Sequence, residues 1–177
     1  MDASFPNGVW PPNLHSLTIG KLKKPISQWG TQNLPNSVVE LYLHGDDGVV
    51  SSSQFANSFP SSITHLEIIA FENLESFSMG LQRLNSLQHL TCLECPNLMD
   101  LPKALLHSLL SLKVLDCPKL EERCSKRGSY WPHISRIPYI RTQHAWNHEV
   151  DMKVPLSPLN DFKSNNLFIL LPFKKTI

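Results

Sequence analysis

A pattern of three apolar residues with a fixed spacing appears five times along residues 14–114. In each occurrence three apolar residues stand at positions i, i+3 and i+5, and the first members follow one another at intervals of 24, 25, 24 and 22 residues. The triplets are Leu14/Leu17/Ile19, Val38/Leu41/Leu43, Ile63/Leu66/Ile68, Leu87/Leu90/Cys92 and Leu109/Leu112/Val114. This regular interval predicts a chain built from repeated structural units.

The spacing within each triplet predicts a short β-strand with an inward face. Side chains alternate along a strand, so positions i+3 and i+5 lie on the same side. Three buried aliphatic side chains contribute about 5 to 9 kcal/mol, whereas ordering the backbone of one unit costs about 1 to 2 kcal/mol per residue. A single unit is therefore unstable, and neighbouring units must stack and pair their strands. We expect an α/β leucine-rich repeat solenoid with a concave parallel sheet and an irregular convex side.

The period also divides the chain into four parts. Residues 1–13 form a lead-in, in which Phe5, Val9 and Trp10 are expected to cover the first unit. Residues 14–124 hold about five repeats, and residues 125–140 form a C-terminal cap. Residues 141–177 show no period and mixed polarity, so we expect a poorly ordered tail or one that docks loosely.

Composition and charge narrow the classes of partner. The 177 residues are 41% hydrophobic and 18% charged, with a net charge of +1. Basic residues cluster only at Lys21, Lys23 and Lys24 and at Lys126 with Arg127, so we expect no nucleic acid partner. The first residues do not resemble a secretory signal, and the longest apolar run near either end, LFILL, is too short to span a membrane. With only four cysteines, we expect a reducing, cytoplasmic location.

Cys92 and Cys95 have the C-x-x-C spacing of some metal and redox sites. The repeat offers another interpretation, because Cys92 occupies the inward position held by Ile68 one unit earlier and Val114 one unit later. Cys95 corresponds to Phe71 and Cys117. An isolated C-x-x-C is a weak zinc signal without a second pair. We therefore interpret both cysteines as small buried hydrophobic residues, and a zinc or thiol-exchange site is the alternative.

Two other polar motifs could hold a metal ion. HAWNHE, at 144–149, places two histidines four residues apart but lacks the H-E-x-x-H order of zinc proteases, so we interpret its polar side chains as solvent-exposed. GDDG, at 45–48, has the composition of a tight turn. The sequence contains no phosphate-binding loop, nucleophile elbow or calcium loop. We therefore expect no catalytic residues, no metal and no cofactor, and a protein that is not an enzyme.

The residues that alternate with the inward ones form the exposed face of the predicted sheet. We expect this concave face to bind protein, through Tyr42, His44, His65, Glu67, Ile69, His89, Thr91, Leu93, Lys113 and Leu115. Three aliphatic residues, Ile69, Leu93 and Leu115, lie side by side at positions that should face solvent, where polar residues are expected. Such a cluster indicates a contact with another protein. The alternative is that a neighbouring loop or the tail packs over them.

Several segments resemble a known family. PNSVVELYL, FPSSITHLEI, CPNLMDLP, CPKLEERC and above all GSYWPHISRIPYI (128–140) resemble the C-terminal leucine-rich repeats of plant intracellular nucleotide-binding disease-resistance proteins of the coiled-coil type. The similarity covers roughly residues 12–140. Trp131, Ile134, Ile137 and Tyr139 would then cover the open edge of the last repeat.

The resemblance implies a function in plant innate immunity. Such a domain recognises a pathogen effector or an altered host protein and restrains a nucleotide-binding module, so these proteins are the expected partners. The coiled coil and the nucleotide-binding module of the family are missing from this sequence. Two alternatives are a truncated resistance-gene fragment without independent activity and a substrate adaptor of a ubiquitin ligase.

Overall fold

A computed structural model describes residues 10–20, 34–45, 59–77, 81 and 84–143, together with the backbone of 145–147 and 166–170. Eight strands are present in these residues: β1 (Ser16–Gly20), β2 (Glu40–His44), β3 (His65–Ile69), β4 (His89–Leu93), β5 (Ser111–Leu115), β6 (Tyr139–Thr142), β7 (Ala145–Asn147) and β8 (Asn166–Leu170). Three short helices accompany them: α1 (Lys103–Leu106), α2 (Pro118–Cys124) and α3 (Trp131–Ile134). The strands form one sheet in the order β7-β6-β5-β4-β3-β2-β1-β8.

The strands β1 to β6 pair in parallel and in register. One inward row consists of Leu17, Leu41, Leu66, Leu90, Leu112 and Ile140, and the second consists of Ile19, Leu43, Ile68, Cys92, Val114 and Thr142. All twelve residues are buried. The expected parallel sheet and its inward residues are thus confirmed, and the α/β repeat arrangement is consistent with a solenoid.

The strand β6 is a sixth unit that the sequence analysis did not separate from the cap. Ile137, Ile140 and Thr142 have the same i, i+3, i+5 spacing, 28 residues after the preceding triplet. The longer interval and the polar third member hide the pattern in the sequence. Ile140 is buried next to Leu112, whereas Tyr139, which we expected to cover the edge of the core, lies on the opposite face of the sheet.

The chain enters β1, β2 and β3 through a tight turn that begins at a proline. The N–H of Val38 donates to the carbonyl of Pro35 at 3.0 Å, and the N–H of Ile63 donates to that of Pro60 at 3.4 Å. In the first unit the acceptor is Pro11, at 3.2 Å from the N–H of Leu14. Proline suits this position because only its carbonyl is needed.

The chain leaves three strands through a residue in the left-handed backbone region. These residues are Ala70, Glu94 and Asp116, with φ of 56°, 55° and 55°. The N–H groups of Ala70 and Glu94 still donate across to the next unit, at 2.9 and 3.0 Å. A β-carbon at the equivalent Gly45 would overlap the carbonyl oxygen of Ala70. This close approach explains the glycine, because other residues would force the two turns apart.

Polar groups outside the strands connect residues between Asp100 and Gln143. The hydroxyl of Tyr130 accepts the N–H of Leu101 at 3.1 Å and donates to the Asp100 carboxylate at 2.9 Å. Asp100 also pairs with Arg123. The buried carboxylate of Glu121 accepts the N–H of Cys117 at 3.0 Å and that of Gln143 at 3.2 Å. The bond from Gln143 joins α2 to the residue that follows β6.

The region expected to form the cap contributes buried residues to the core. Ile134 and Ile137 are buried, and Trp131 packs against the core while partly buried. Trp10 of the lead-in also packs there, whereas Phe5 and Val9 lie outside the described residues.

Most of the tail, 141–177, also lies outside the described residues, so its expected disorder stays a prediction. Its described backbone segments form β7, which pairs antiparallel with β6, and β8, which pairs in parallel with β1.

Candidate functional site

The face of the sheet opposite the core, here called the open face, carries three rows of side chains. Its first row is Ser16, Glu40, His65, His89, Ser111 and Tyr139, and its second row is Thr18, Tyr42, Glu67, Thr91, Lys113 and Arg141. Its third row is His44, Ile69, Leu93 and Leu115. All ten residues expected to bind protein lie in these rows, side by side on adjacent strands.

Most of the open face is neither fully buried nor fully exposed. His65 is exposed, and the other nine expected binding residues are half-buried. The aliphatic residues of the third row are therefore partly accessible and adjacent, with Ile69 beside Leu93 and Leu93 beside Leu115. Such a row offers a partner an apolar contact without leaving large side chains entirely in water.

Two histidines form a stacked pair in the first row. The rings of His65 and His89 lie with centroids 4.2 Å apart and planes 16° from parallel. The Nδ1 atom of His65 lies 2.9 Å from the hydroxyl of Thr64. Burial lowers the pKa of both histidines; Glu40 partly opposes this at His65, while His65 and Lys113 reinforce it at His89. The low pKa values favour two neutral rings, which can stack without charge repulsion.

Opposite charges lie two strands apart in the second row. Glu67 on β3 and Lys113 on β5 are separated by Thr91 on β4. Burial raises the pKa of Glu67, and the positive charge of Lys113 partly offsets that rise. Within the described part of the chain these two groups form no ion pair with each other. The open face thus presents one acidic and one basic side chain, with one strand between them, on a half-buried surface.

Two further polar features of the open face are a hydrogen bond between Tyr42 and Glu40 and a lowered pKa of His44. The hydroxyl of Tyr42 donates to Oε2 of Glu40 at 3.4 Å, which links the first and second rows. Burial lowers the pKa of His44 in the third row.

Two residues of the open face, Tyr139 and Arg141, were missed by the sequence analysis because they belong to the sixth strand. The Ile137 and Ile140 spacing is the signal that could have revealed them.

The cysteines lie on the other side of the sheet from this site. All four are buried free thiols, and Cys92 lies inward between Ile68 and Val114 as the repeat predicts. The thiols of Cys95 and Cys117 each lie 3.3 Å from the carbonyl oxygen two residues earlier, and the N–H of Cys95 donates to Sγ of Cys117 at 3.4 Å.

The surroundings of Cys92, Cys117 and Cys124 raise the pKa of these three thiols and so keep them protonated, which is the form that reacts least. Burial raises the pKa of Cys92, and it raises the pKa of Cys124 to about 12 with help from Glu121. A hydrogen bond to Cys95 and burial raise the pKa of Cys117. Because metal binding and nucleophilic attack require the thiolate, the surroundings disfavour both. Among the described residues, no three His, Cys, Asp or Glu side chains are grouped so as to hold a metal ion.

The other polar motifs lie largely beyond the described residues. Of GDDG only Gly45 is described, and of HAWNHE only the backbone of 145–147, so neither interpretation is tested. In the described part of the chain, no helix has the length and apolar character needed to cross a bilayer.

Comparison with known proteins adds no further constraint. No family model, curated protein or solved structure matches the chain.

Proposed function

We propose that this protein is a non-catalytic recognition module that binds another protein through the open face. The observation that carries the proposal is the contrast between the two faces of the sheet: β1 to β5 each place an aliphatic or cysteine side chain inward at corresponding positions, while the open-face side chains change from strand to strand. A rigid sheet with a varied, half-buried surface supports specific protein binding better than it supports catalysis.

The repeat period and the sequence resemblance support a more specific assignment of the protein class. We propose that the units are leucine-rich repeats and that the module belongs to the plant intracellular disease-resistance class. Its partner is then a pathogen effector, an altered host protein or a nucleotide-binding module, met in the cytoplasm. The GSYWPHISRIPYI segment supports this assignment, since a repeat protein needs a terminal segment to cover its last unit but does not need these particular residues.

The test is a loss of binding caused by charge on the third row. We expect Ile69→Asp with Leu93→Asp to abolish partner binding, because two carboxylates would have to be desolvated without counter-ions. Tagged wild-type and variant proteins are incubated with plant leaf extract, and the retained proteins are quantified by mass spectrometry. Circular dichroism and the melting temperature should stay nearly unchanged, since both positions are only half-buried.

A matched control adds the same charge away from the open face. Ala104→Asp with Ser129→Asp introduces two carboxylates at exposed positions outside the strands. Proteins retained by wild type and by this control, but not by the open-face variant, support the proposal. If all three proteins retain the same set, the open face is not the binding surface and the proposal fails.

A further inference from the structure

We infer that the partner occupies the open face with an amphipathic α-helix that lies across β3, β4 and β5. A basic residue of this helix faces Glu67, and an acidic residue two turns away faces Lys113. Its apolar stripe packs on Ile69, Leu93 and Leu115. This inference rests on the proposed function and names the chemistry of its partner.

The spacing of the strands favours a helix over an extended segment. Neighbouring strands lie about 4.8 Å apart, so the side chains of each row repeat at that interval. A helix returns a side chain to the same face about every 5.4 Å, whereas an extended chain does so about every 6.7 Å. Across three strands the mismatch is about 1 Å for a helix and about 4 Å for an extended chain. A helix can therefore keep contact with all three strands.

The charges have the same spacing. Glu67 and Lys113 are two strands apart, or roughly 10 Å. Helix residues seven positions apart lie on one face and are separated by about 10.5 Å. A helix with opposite charges at positions i and i+7 can therefore reach both groups at once. Because Glu67 and Lys113 do not pair with each other, both remain available to a partner.

The third row adds the apolar part of the contact. It lies two residues along each strand from the second row, which is about 6.7 Å. A helix about 10 Å wide covers both rows, with its charged residues over Glu67 and Lys113 and its apolar stripe over Leu93 and its neighbours. Half-burial of Glu67 strengthens the charge contact, since a partner charge would compensate a carboxylate whose burial already raises its pKa.

The experiment selects helices and then exchanges charges. Two displayed libraries, one of helical peptides randomised on one face over three turns and one of proline-containing extended peptides, are selected together against the wild-type protein. We expect enriched peptides to carry one basic and one acidic residue seven positions apart beside an apolar stripe. Their dissociation constants are measured by fluorescence anisotropy for wild type, the swap Glu67→Lys with Lys113→Glu, and the control swap Glu122→Lys with Lys126→Glu.

Charge exchange gives a reciprocal outcome. The open-face swap should weaken binding about tenfold or more, because each pair becomes like-charged. Exchanging the two charged residues of the peptide should restore the affinity for the swapped protein and reduce it for the wild type. The control swap, at two exposed positions, should leave every dissociation constant unchanged. Circular dichroism of each protein establishes that the swaps fold.

Other outcomes separate the two proposals. If peptides bind, lose affinity with Ile69→Asp and Leu93→Asp, but ignore the charge swap, the helix inference is wrong and the recognition face stands. Enrichment of proline-containing extended peptides, or of no peptide, also overturns the inference. If the selected peptides bind that aspartate variant as well as wild type, they bind elsewhere, and both proposals are contradicted.

Discussion

The two faces of the same strands obey different constraints. On β1 to β5 the inward positions hold only Leu, Ile, Val and Cys, and none is more than 2% exposed. The open face of those strands holds acids, a base, histidines, hydroxyl groups and aliphatics. Packing limits the first set by volume and polarity, whereas the second set is limited only by its neighbours on the surface. The inward face therefore maintains the scaffold, and the side chains of the open face are free to differ from strand to strand.

The largest effect on stability is expected when two adjacent residues of β4, which lie on opposite faces of the sheet, are each truncated to alanine. We expect Leu90→Ala to lower the free energy of unfolding by about 2 to 5 kcal/mol, because it leaves a cavity among fully buried neighbours. Thr91→Ala, on the open face, should change it by no more than about 0.5 kcal/mol. Urea unfolding followed by circular dichroism measures both. Equal losses would mean that the two faces do not differ in their contribution to stability.

A second, smaller effect concerns polarity at a single inward position. Cys92→Ser should cost about 1 to 3 kcal/mol, since it places a hydroxyl among apolar neighbours. Cys92→Val should cost less than about 1.5 kcal/mol because the position stays apolar and the equivalent positions of the neighbouring units hold Ile68 and Val114. The same unfolding assay ranks the variants, and elemental analysis of the purified protein tests the alternative. Bound zinc that Cys92→Val removes would contradict the structural interpretation of this residue.

The smallest expected effect is electrostatic and confined to the open face. Because its pKa is lowered, His89 stabilises the fold above its unfolded pKa of about 6.5, and this contribution is lost as the pH falls through the folded value. We expect His65→Gln to raise the pKa of His89 by removing a like charge, and Glu40→Gln to lower the pKa of His65. Titration of the histidine ring protons by NMR measures these directions.

The control for the histidine pair is a charge change outside the sheet. Glu122→Gln, at an exposed position of α2, should move neither pKa. Unchanged titration of His89 after His65→Gln would show that the rings do not interact in solution.

Local spacing predicted more of the scaffold than of the site. Alternation and the recurrent triplet were enough to identify the inward residues of five strands and to place all ten expected binding residues on one face. The sixth strand was missed because Thr142 interrupts the apolar pattern and because its interval from the fifth is longer. The stack of His65 on His89 was also not predicted, since the sequence shows only that the two positions correspond in neighbouring repeats.

The sequence by itself determined which residues of each unit point inward, because that choice depends on side-chain alternation within five residues of strand. Tertiary structure alone decided how the units fit together: the register of the strands, the half-burial of the third row, the distance between Glu67 and Lys113, and the pairing of β8 with β1. These features depend on distances between residues 22 or more positions apart. Such distances arise only when neighbouring units stack and bury their aliphatic rows together.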